Sequence, residues 1–161
     1  MNSRGENGFT LLELLLVLGL IGLIAALTAP YMASTLNRME LDSEARKIAS
    51  ALNYSRNEAI ARKIPLAFNG DLSENRYWLS GAQEDRPIER WLMDDSIQMT
   101  EFSNFEESQS EGTFVIVFYP LGNTTGGSIR VEPTDPEQSE IYYAIDLDII
   151  TGVPSIESIP R

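Results

Sequence analysis

With 161 residues, the chain can form one domain of ordinary size and one further segment, but not two separate hydrophobic cores. Its formal net charge of −12 comes from residues 64–161, which carry five basic and eighteen acidic side chains, and this acidity argues against a nucleic-acid ligand. The chain has no histidine and no cysteine, which excludes Ser-His-Asp and Cys-His catalytic groups, imidazole and thiolate metal sites, and disulfides. We therefore expect a protein that is not an enzyme.

The first predicted element is an apolar helix that follows a short polar leader. Residues 9–29 form a run of 21 residues in which Glu13 is the one charged side chain. A helix of this length covers about 32 Å, against a hydrocarbon thickness of about 30 Å, so the segment can span a bilayer. A secretory signal peptide fits poorly, because its apolar region is shorter and is cleaved at its far end. Basic residues on both sides of the segment leave its orientation open.

Glu13 requires a partner, because a carboxylate inside a membrane helix costs about 2.5–3.5 kcal/mol. No Lys or Arg lies between Gly5 and Asn37, so the one cation that the local chain can supply is a backbone amine made by cleavage. Cleavage after Gly8 would create that amine on Phe9, one helical turn from Glu13 or close to the Glu13 of a staggered neighbour. The alternative is a carboxylate that extends to the lipid headgroups, and the residues alone leave both open.

The sequence Gly8-Phe9-Thr10-Leu11-Leu12-Glu13, followed by the apolar helix, resembles the class III leader of type IV pilins and type II secretion pseudopilins. The resemblance implies cleavage between Gly8 and Phe9 by an inner-membrane prepilin peptidase, and methylation of the new Phe9 amine. It also implies that Glu13 pairs with an N-terminal amine during assembly. Pro30 stands where this family has a helix-perturbing proline, and a proline removes one helical hydrogen bond.

Residues 31–63 are predicted to form an amphipathic helix. Seven residues recur at alternating spacings of four and three, which predicts a stripe packed on a sheet: Leu41, Ala45, Ile48, Leu52, Ser55, Ala59 and Arg62. The charged residues are expected on the other faces: Asp42, Glu44, Arg46, Lys47, Arg56 and Glu58. Because Pro65 disfavours helical geometry at Ile64, we expect the last turn at Lys63.

Residues 64–161 are predicted to form a β-domain of short strands separated by turn residues. The predicted strands are Leu66–Asn69, Arg76–Leu79, Glu89–Leu92, Ser96–Met99, Thr113–Tyr119, Ser128–Glu132, Ile141–Asp146 and Pro154–Ile159. The densest apolar run, Phe114 to Tyr119, is expected at the centre of a sheet, and residues 100–112 are expected to form a mobile loop. So many strands predict an α+β fold in which two antiparallel sheets pack behind the long N-terminal helix.

Two further features of the β-domain were considered as ligand sites. Gly122 to Ser128 is rich in glycine, but it lacks the lysine and the following helix of a phosphate-binding loop, so a hairpin turn is predicted. The pairs Asp94-Asp95 and Asp146–Asp148 could hold calcium, although their spacing matches no calcium-binding loop and solvated carboxylates are the preferred interpretation. We therefore predict no catalytic residue, no metal and no cofactor.

Two motifs after the leader resemble the minor pseudopilin H of type II secretion and related minor pilins. They are Leu52-Asn53-Tyr54-Ser55-Arg56-Asn57-Glu58-Ala59-Ile60-Ala61-Arg62 and Phe118-Tyr119-Pro120-Leu121-Gly122-Asn123-Thr124-Thr125-Gly126-Gly127. The resemblance implies a type IV pilin-like fold in which Arg56 points toward the rim of the sheet, whereas a solvated arginine is an equally good interpretation.

The predicted organisation is a leader (1–8), a transmembrane helix (9–30), an amphipathic helix (31–63) and a periplasmic β-domain (64–161). The resemblance implies a minor pseudopilin with a single span in the bacterial inner membrane, a structural subunit of the pseudopilus that helps export folded proteins across the outer membrane. The implied partners are minor tip and major shaft pseudopilins, the prepilin peptidase and the inner-membrane assembly platform. The alternative is a minor type IV pilin in pilus biogenesis or DNA uptake, which the acidic β-domain disfavours.

Overall fold

The computed structural model describes residues 10–83 and 86–161, without the side chains of residues 28–35 and of Gln138. A helix, α1 (Leu11–Arg62), precedes the strands of the described chain, which are β1 (Leu66–Asp71), β2 (Arg76–Gly81), β3 (Pro87–Leu92), β4 (Ile97–Ser103), β5 (Ser108–Gln109), β6 (Thr113–Phe118), β7 (Gly127–Pro133), β8 (Ile141–Leu147) and β9 (Pro154–Pro160). A short 3-10 helix, Pro136–Gln138, lies between β7 and β8. The contacts divide the chain into one unit that ends at Leu36 and a second unit, Asn37–Arg161.

The strands form two antiparallel sheets. The first has the order β3-β2-β1-β6, and the second has the order β5-β4-β7-β8-β9. The chain passes from the first sheet to the second after β3, returns to form β6, and then crosses again to β7. This architecture confirms the predicted α+β class with two antiparallel sheets.

The core of the second unit lies between α1 and the sheets. Six of the seven residues of the predicted helix stripe are fully buried, and Arg62 at its end is exposed. Aromatic rings continue the core across the first sheet in the order Trp91, Tyr77, Phe68, Phe114 and Phe102, with centroids 4.3 to 6.4 Å apart. The stack of Phe114 on Phe102 joins the two sheets, because these rings belong to β6 and β4.

The helix ends where the sequence predicted. α1 ends at Arg62, and Lys63 adopts a left-handed backbone conformation with φ of 57°. A left-handed residue just after the last turn is a common way to end a helix, although glycine usually supplies it. The predicted last turn at Lys63 is therefore confirmed to within one residue.

Two predictions about the strands are wrong, and a third is confirmed only in part. β6 lies at the edge of its sheet rather than at its centre, because within that sheet it pairs with β1 on one side only. Its apolar residues alternate between a buried face and an outer face, where Val115 is 50% exposed. β4 continues to Ser103, within the segment that was predicted to be a loop. A bulge between Met99 and Glu101 interrupts the alternation of buried and exposed residues, so the sequence pattern does not show that the strand continues.

The predicted hairpin turn at Gly122 to Ser128 is confirmed only at its start, where Phe118 forms an antiparallel bridge with Thr124 and the N–H of Tyr119 donates to the carbonyl of Asn123 at 2.9 Å. The segment then enters β7 of the other sheet.

Candidate functional site

Of the predicted processing and assembly residues, the structure describes Glu13, which lies in the first turn of α1. Gly8 and Phe9 are outside the described residues, so cleavage between them and methylation of Phe9 stay predictions. Thr10 precedes the helix, and its Oγ1 accepts a hydrogen bond of 3.2 Å from the backbone N–H of Glu13. This N-cap satisfies one of the free N–H groups at a helix start. Our sequence interpretation gave Thr10 no role, although its Thr-x-x-Glu spacing to Glu13 is a capping pattern.

Glu13 is an exposed residue in the first turn of α1. A carboxylate at this position interacts favourably with the positive end of the helix dipole. An acidic residue at this position therefore stabilises the start of the helix, and this stabilisation does not depend on assembly. The predicted pairing of Glu13 with an N-terminal amine stays a prediction.

The first part of α1 is apolar on all sides. Its twelve large apolar side chains from Leu11 to Leu27 are between 43% and 79% exposed. Over the described residues, the structure contains no helix that meets the length and apolarity needed to cross a membrane. The predicted span begins at Phe9, outside these residues. α1 continues through Pro30, whose side chain is not described, so the predicted perturbation at Pro30 stays a prediction.

Arg56 connects α1 to two loops of the β-domain. Its Nε donates to the carbonyl oxygen of Thr151 at 2.6 Å and to that of Gly122 at 3.2 Å. Gly122 lies in the crossover from β6 to β7, and Thr151 lies in the turn between β8 and β9. One guanidinium thus holds the helix against two separate loops, which confirms the orientation toward the sheet rim.

Two glycines allow these loops to approach each other and Arg56. Gly152 has φ of +64°, and a Cβ on it would lie 2.3 Å from the carbonyl oxygen of Gly122. Gly122 has φ of +90°, and a Cβ on it would lie 3.1 Å from Nη2 of Arg56. A side chain at either position would strain the backbone and crowd its neighbours, so glycine is required for this contact.

Two of the four acidic residues considered for calcium, Asp94 and Asp148, bind groups of their own turns. The Oδ1 of Asp148 accepts hydrogen bonds from the N–H groups of Thr151 at 2.7 Å and Ile150 at 3.1 Å, and from the Thr151 hydroxyl at 2.9 Å. Hydrogen bonds from Thr151, first from its backbone, hold the pKa of Asp148 below its usual 3.8. The backbone and hydroxyl of Ser96 lower the pKa of Asp94 in the same way. Across the described ranges, no group of three or more acidic side chains is arranged to hold a metal.

Glu44 was predicted to lie on a face of α1 other than the buried stripe, and that prediction is wrong. Its side chain is 3% exposed; Oε1 pairs with Nζ of Lys47, and Oε2 has no hydrogen-bond partner in the described part of the chain. Burial, and then the nearby Glu44 charge, raises the pKa of the Tyr77 hydroxyl. Glu44 lies three residues after Leu41 and four before Ile48, so it belongs to the buried stripe by a spacing as good as that of Ala45.

The chain is similar in sequence to two described protein families and to a known secretion protein. The family described as type II transport protein GspH matches residues 44–148, and the prokaryotic N-terminal methylation motif matches residues 3–29. The chain is 31% identical over 150 residues to type II secretion system protein H of Xanthomonas campestris pv. campestris, which covers 92% of this chain and 82% of that protein.

Solved structures show the same fold at low sequence identity. The minor pseudopilin EpsH from the type 2 secretion system of Vibrio cholerae matches with a TM-score of 0.54 and 12% identity, over 75% of this chain and 97% of that one. The type IV minor pilin FimU of Pseudomonas aeruginosa matches with a TM-score of 0.54 and 13% identity, over 76% and 90%. These two likenesses concern the fold, whereas the sequence matches identify the family. The chain belongs to the GspH family of type II transport proteins.

Proposed function

We propose that this chain is a minor pseudopilin of a type II secretion system, a structural subunit of the periplasmic pseudopilus that helps export folded proteins across the outer membrane. The observation that carries the proposal is the similarity to type II secretion system protein H along 92% of the chain. The chemistry agrees with a structural role, because the sequence has no histidine or cysteine and the carboxylates of Asp94 and Asp148 are bound by their own turns. The protein is not an enzyme in this proposal.

The apolar helix would serve both storage and assembly. Prepilin peptidase cleaves after Gly8, Phe9 is methylated, and residues 9–30 hold the protein in the inner membrane with the β-domain in the periplasm. The exposed apolar side chains from Leu11 to Leu27 support this, because they need lipid or neighbouring helices to cover them. Entry into the pseudopilus exchanges lipid contacts for contacts with helices of other pseudopilins, which include minor tip subunits and the major shaft subunit, on the inner-membrane assembly platform.

Glu13 would make this exchange selective. A carboxylate in an apolar helix bundle is costly when it is unpaired, and an amine on a staggered neighbour offsets that cost. Among sequence positions 6 to 37 there is no Lys or Arg that could take the place of the amine. The pairing therefore depends on cleavage, which links processing to assembly.

A second candidate is a minor type IV pilin, because FimU has the same TM-score as EpsH. The fold does not separate the two functions, but the GspH match over residues 44–148 favours secretion. DNA uptake is disfavoured by the eighteen acidic and five basic residues of positions 64–161. A gel-shift assay with the full chain at moderate salt tests it, and clear retardation of DNA would reverse the ranking.

The proposed processing is tested by mass spectrometry of the protein extracted from native membranes. We expect the wild-type protein to begin at Phe9 and to carry one methyl group, and a Gly8→Leu variant to keep residues 1–8. A different mature N-terminus in the wild type would contradict the proposal.

The proposed assembly role is tested by isolating pseudopili from cells that carry Glu13→Ala. We expect this variant to be inserted and processed normally, but to be absent from pseudopili and to abolish secretion. The matched control is Glu40→Ala, which removes another exposed glutamate of α1 and should enter pseudopili normally. Normal incorporation of the Glu13→Ala chain would contradict the pairing.

A further inference from the structure

A pocket of about 530 Å³, here called the outer pocket, lies where the strands β2 and β3 pair. Its volume is within the range of small-molecule sites. Neighbouring residues of a strand point to opposite faces of a sheet, so Arg76 and Trp78 on either side of the buried Tyr77 point outward. Arg90 stands opposite Trp78 in the register, and Leu92 stands opposite Arg76. These four outward residues all line the pocket.

The indole ring of Trp78 has two arginines as neighbours. The guanidinium carbon of Arg76 lies 6.0 Å from the centre of the Trp78 ring. Arg90 is directly opposite Trp78 on the next strand, a position in which Cβ atoms are about 4.5–5.5 Å apart. Trp78 is half-buried and both arginines are exposed, so a ligand can reach the ring and the two guanidinium groups together.

The two guanidinium groups keep hydrogen-bond donors for a ligand. Arg76 makes one contact with a carboxylate, from its Nη2 to Asp71 at 3.3 Å, and its side chain is 50% exposed. In the part of the chain that the structure describes, Arg90 has no ion-pair partner. Glu89 precedes Arg90 but points to the opposite face of the sheet, where it stands beside the buried Leu79.

The outer pocket therefore combines positive charge, donors and an aromatic ring. Among the described residues that line it, none is acidic. An arginine carries five N–H donors and no acceptor, so the pocket suits a ligand that is rich in oxygen acceptors.

These features select the chemistry of the ligand. A guanidinium group binds a carboxylate through two parallel hydrogen bonds, and an indole ring stacks on the apolar face of another ring. A nucleic acid or a polyphosphate suits the domain less well, because residues 64–161 carry eighteen acidic side chains against five basic ones. A sugar ring with an attached carboxylate supplies the single charge, the oxygen acceptors and the flat apolar face.

We propose that the outer pocket binds a sugar acid, which is a sugar whose ring carries a carboxylate. The carboxylate lies between the guanidinium groups of Arg76 and Arg90, and the sugar ring stacks on the indole of Trp78. Asp71 positions Arg76 through its contact with Nη2. The proposal goes beyond the role in the pseudopilus and does not rest on it, because it concerns a ligand of the first sheet.

Titration of the full-length chain with digalacturonate tests the proposal, in a detergent without a sugar headgroup. The chain has two tryptophans, so isotope-labelled tryptophan gives two indole N–H signals in an NMR spectrum, and Trp78→Phe assigns them. We expect a saturable shift of the Trp78 signal, and a smaller shift for Trp91, whose ring stacks on Tyr77. The methyl ester of digalacturonate keeps the rings without the charge and should bind about tenfold more weakly or worse.

Arginine variants test which groups bind the carboxylate. Arg76→Gln and Arg90→Gln keep hydrogen-bond donors without the charge, and each should weaken digalacturonate binding about tenfold or more. The matched control is Arg38→Gln, which removes an exposed arginine of α1 outside the pocket and should leave the affinity unchanged. An unchanged near-UV spectrum would verify that each variant keeps the fold.

Sodium acetate at the same carboxylate concentration measures the binding of an anion without a sugar ring, and it should leave the Trp78 signal in place. The absence of a saturable shift with digalacturonate, an equal affinity for its methyl ester, or an equal shift with acetate would overturn the proposal. An affinity unaffected by both arginine variants, or a saturable shift of Trp91 alone, would overturn it as well. Processing at Gly8 and secretion are measured separately, so either proposal can fail alone.

Discussion

The two halves of α1 are both rich in apolar residues, but they differ in what those residues contact. From Leu11 to Leu27 the large apolar side chains cover the whole circumference and are exposed, whereas Leu41, Ile48 and Leu52 belong to one stripe that is fully buried. A helix with one apolar stripe can bury that stripe against its own domain, but a helix that is apolar on all sides needs lipid or other helices around it to bury its surface. The first half is therefore suited to lipid or other helices, and the second half to the two sheets.

The two carboxylates Glu13 and Glu44 show the same difference. Glu44 lies in the buried stripe and has Lys47 of its own chain as a partner. Glu13 lies in a segment without Lys or Arg, so any cationic side chain or amine that pairs with it would come from a chain terminus or from another molecule. The second half of α1 thus supplies an ion-pair partner for its buried carboxylate, and the first half contains no Lys or Arg to do so.

The strongest test of this comparison is Leu52→Ala beside Leu18→Ala. Leu52 is fully buried, so its truncation should lower the free energy of unfolding by about 2–5 kcal/mol, whereas Leu18 is 57% exposed and its truncation should leave the β-domain unaffected. Denaturant titration of the full chain in detergent, followed by the fluorescence of Trp78 and Trp91, measures both. Equal losses for the two variants would contradict the division of α1.

A smaller loss is expected for Arg56→Ala. This change removes the shared hydrogen bond to the carbonyl groups of Gly122 and Thr151, which should lower the free energy of unfolding by about 2 kcal/mol. Arg56→Lys keeps the charge without the guanidinium geometry and should recover less than half of the loss. Full recovery by lysine in the same titration would show that the charge matters rather than the hydrogen bonds.

Lys47→Ala should have a weaker effect, of about 1–2 kcal/mol, because it leaves the buried carboxylate of Glu44 without its partner. The matched control is Arg46→Ala one residue earlier, whose partner Asp42 is 35% exposed and can be solvated. That control should leave the unfolding midpoint nearly unchanged, because Arg46 is exposed and solvent screens its ion pair. Equal unfolding midpoints for the two variants would show that the burial of Glu44 does not increase the contribution of its ion pair to stability.

The smallest expected effect is on the pH dependence of stability. The pKa of Asp148 is lowered in the folded state, so its contribution is present above the unfolded value of 3.8 and is lost as the pH falls through the folded value. Asp148→Asn keeps a hydrogen-bond acceptor but cannot titrate. Between about pH 5 and pH 3, its unfolding midpoint in urea should fall less than that of the wild type. An identical slope for both proteins would exclude Asp148 as a source of the pH dependence.

The helix and the presence of two sheets were predictable because their patterns are local. A stripe such as Leu41, Ile48 and Leu52 reports burial through the fixed geometry of a helix, and Pro65 marks the end of that helix. The same local rule failed for Glu44, because two adjacent positions fit the stripe and the apolar one was preferred. The end of β4 was missed for a related reason. The bulge near Thr100 changes the alternation of buried and exposed residues along the strand.

Contacts between distant residues required the tertiary structure. The edge position of β6 depends on which strands pair, and an apolar alternation is the same at an edge as at a centre. Similarly, the motif around Arg56 suggested its direction, but its acceptors lie 66 and 95 residues further along the chain. By itself the sequence determined an apolar segment with one acidic residue, the stripe of α1 and the class of fold, because these follow from spacing along the chain. Only the tertiary structure decided the order of the strands and the partners of Arg56, because both depend on segments that fold together from far apart.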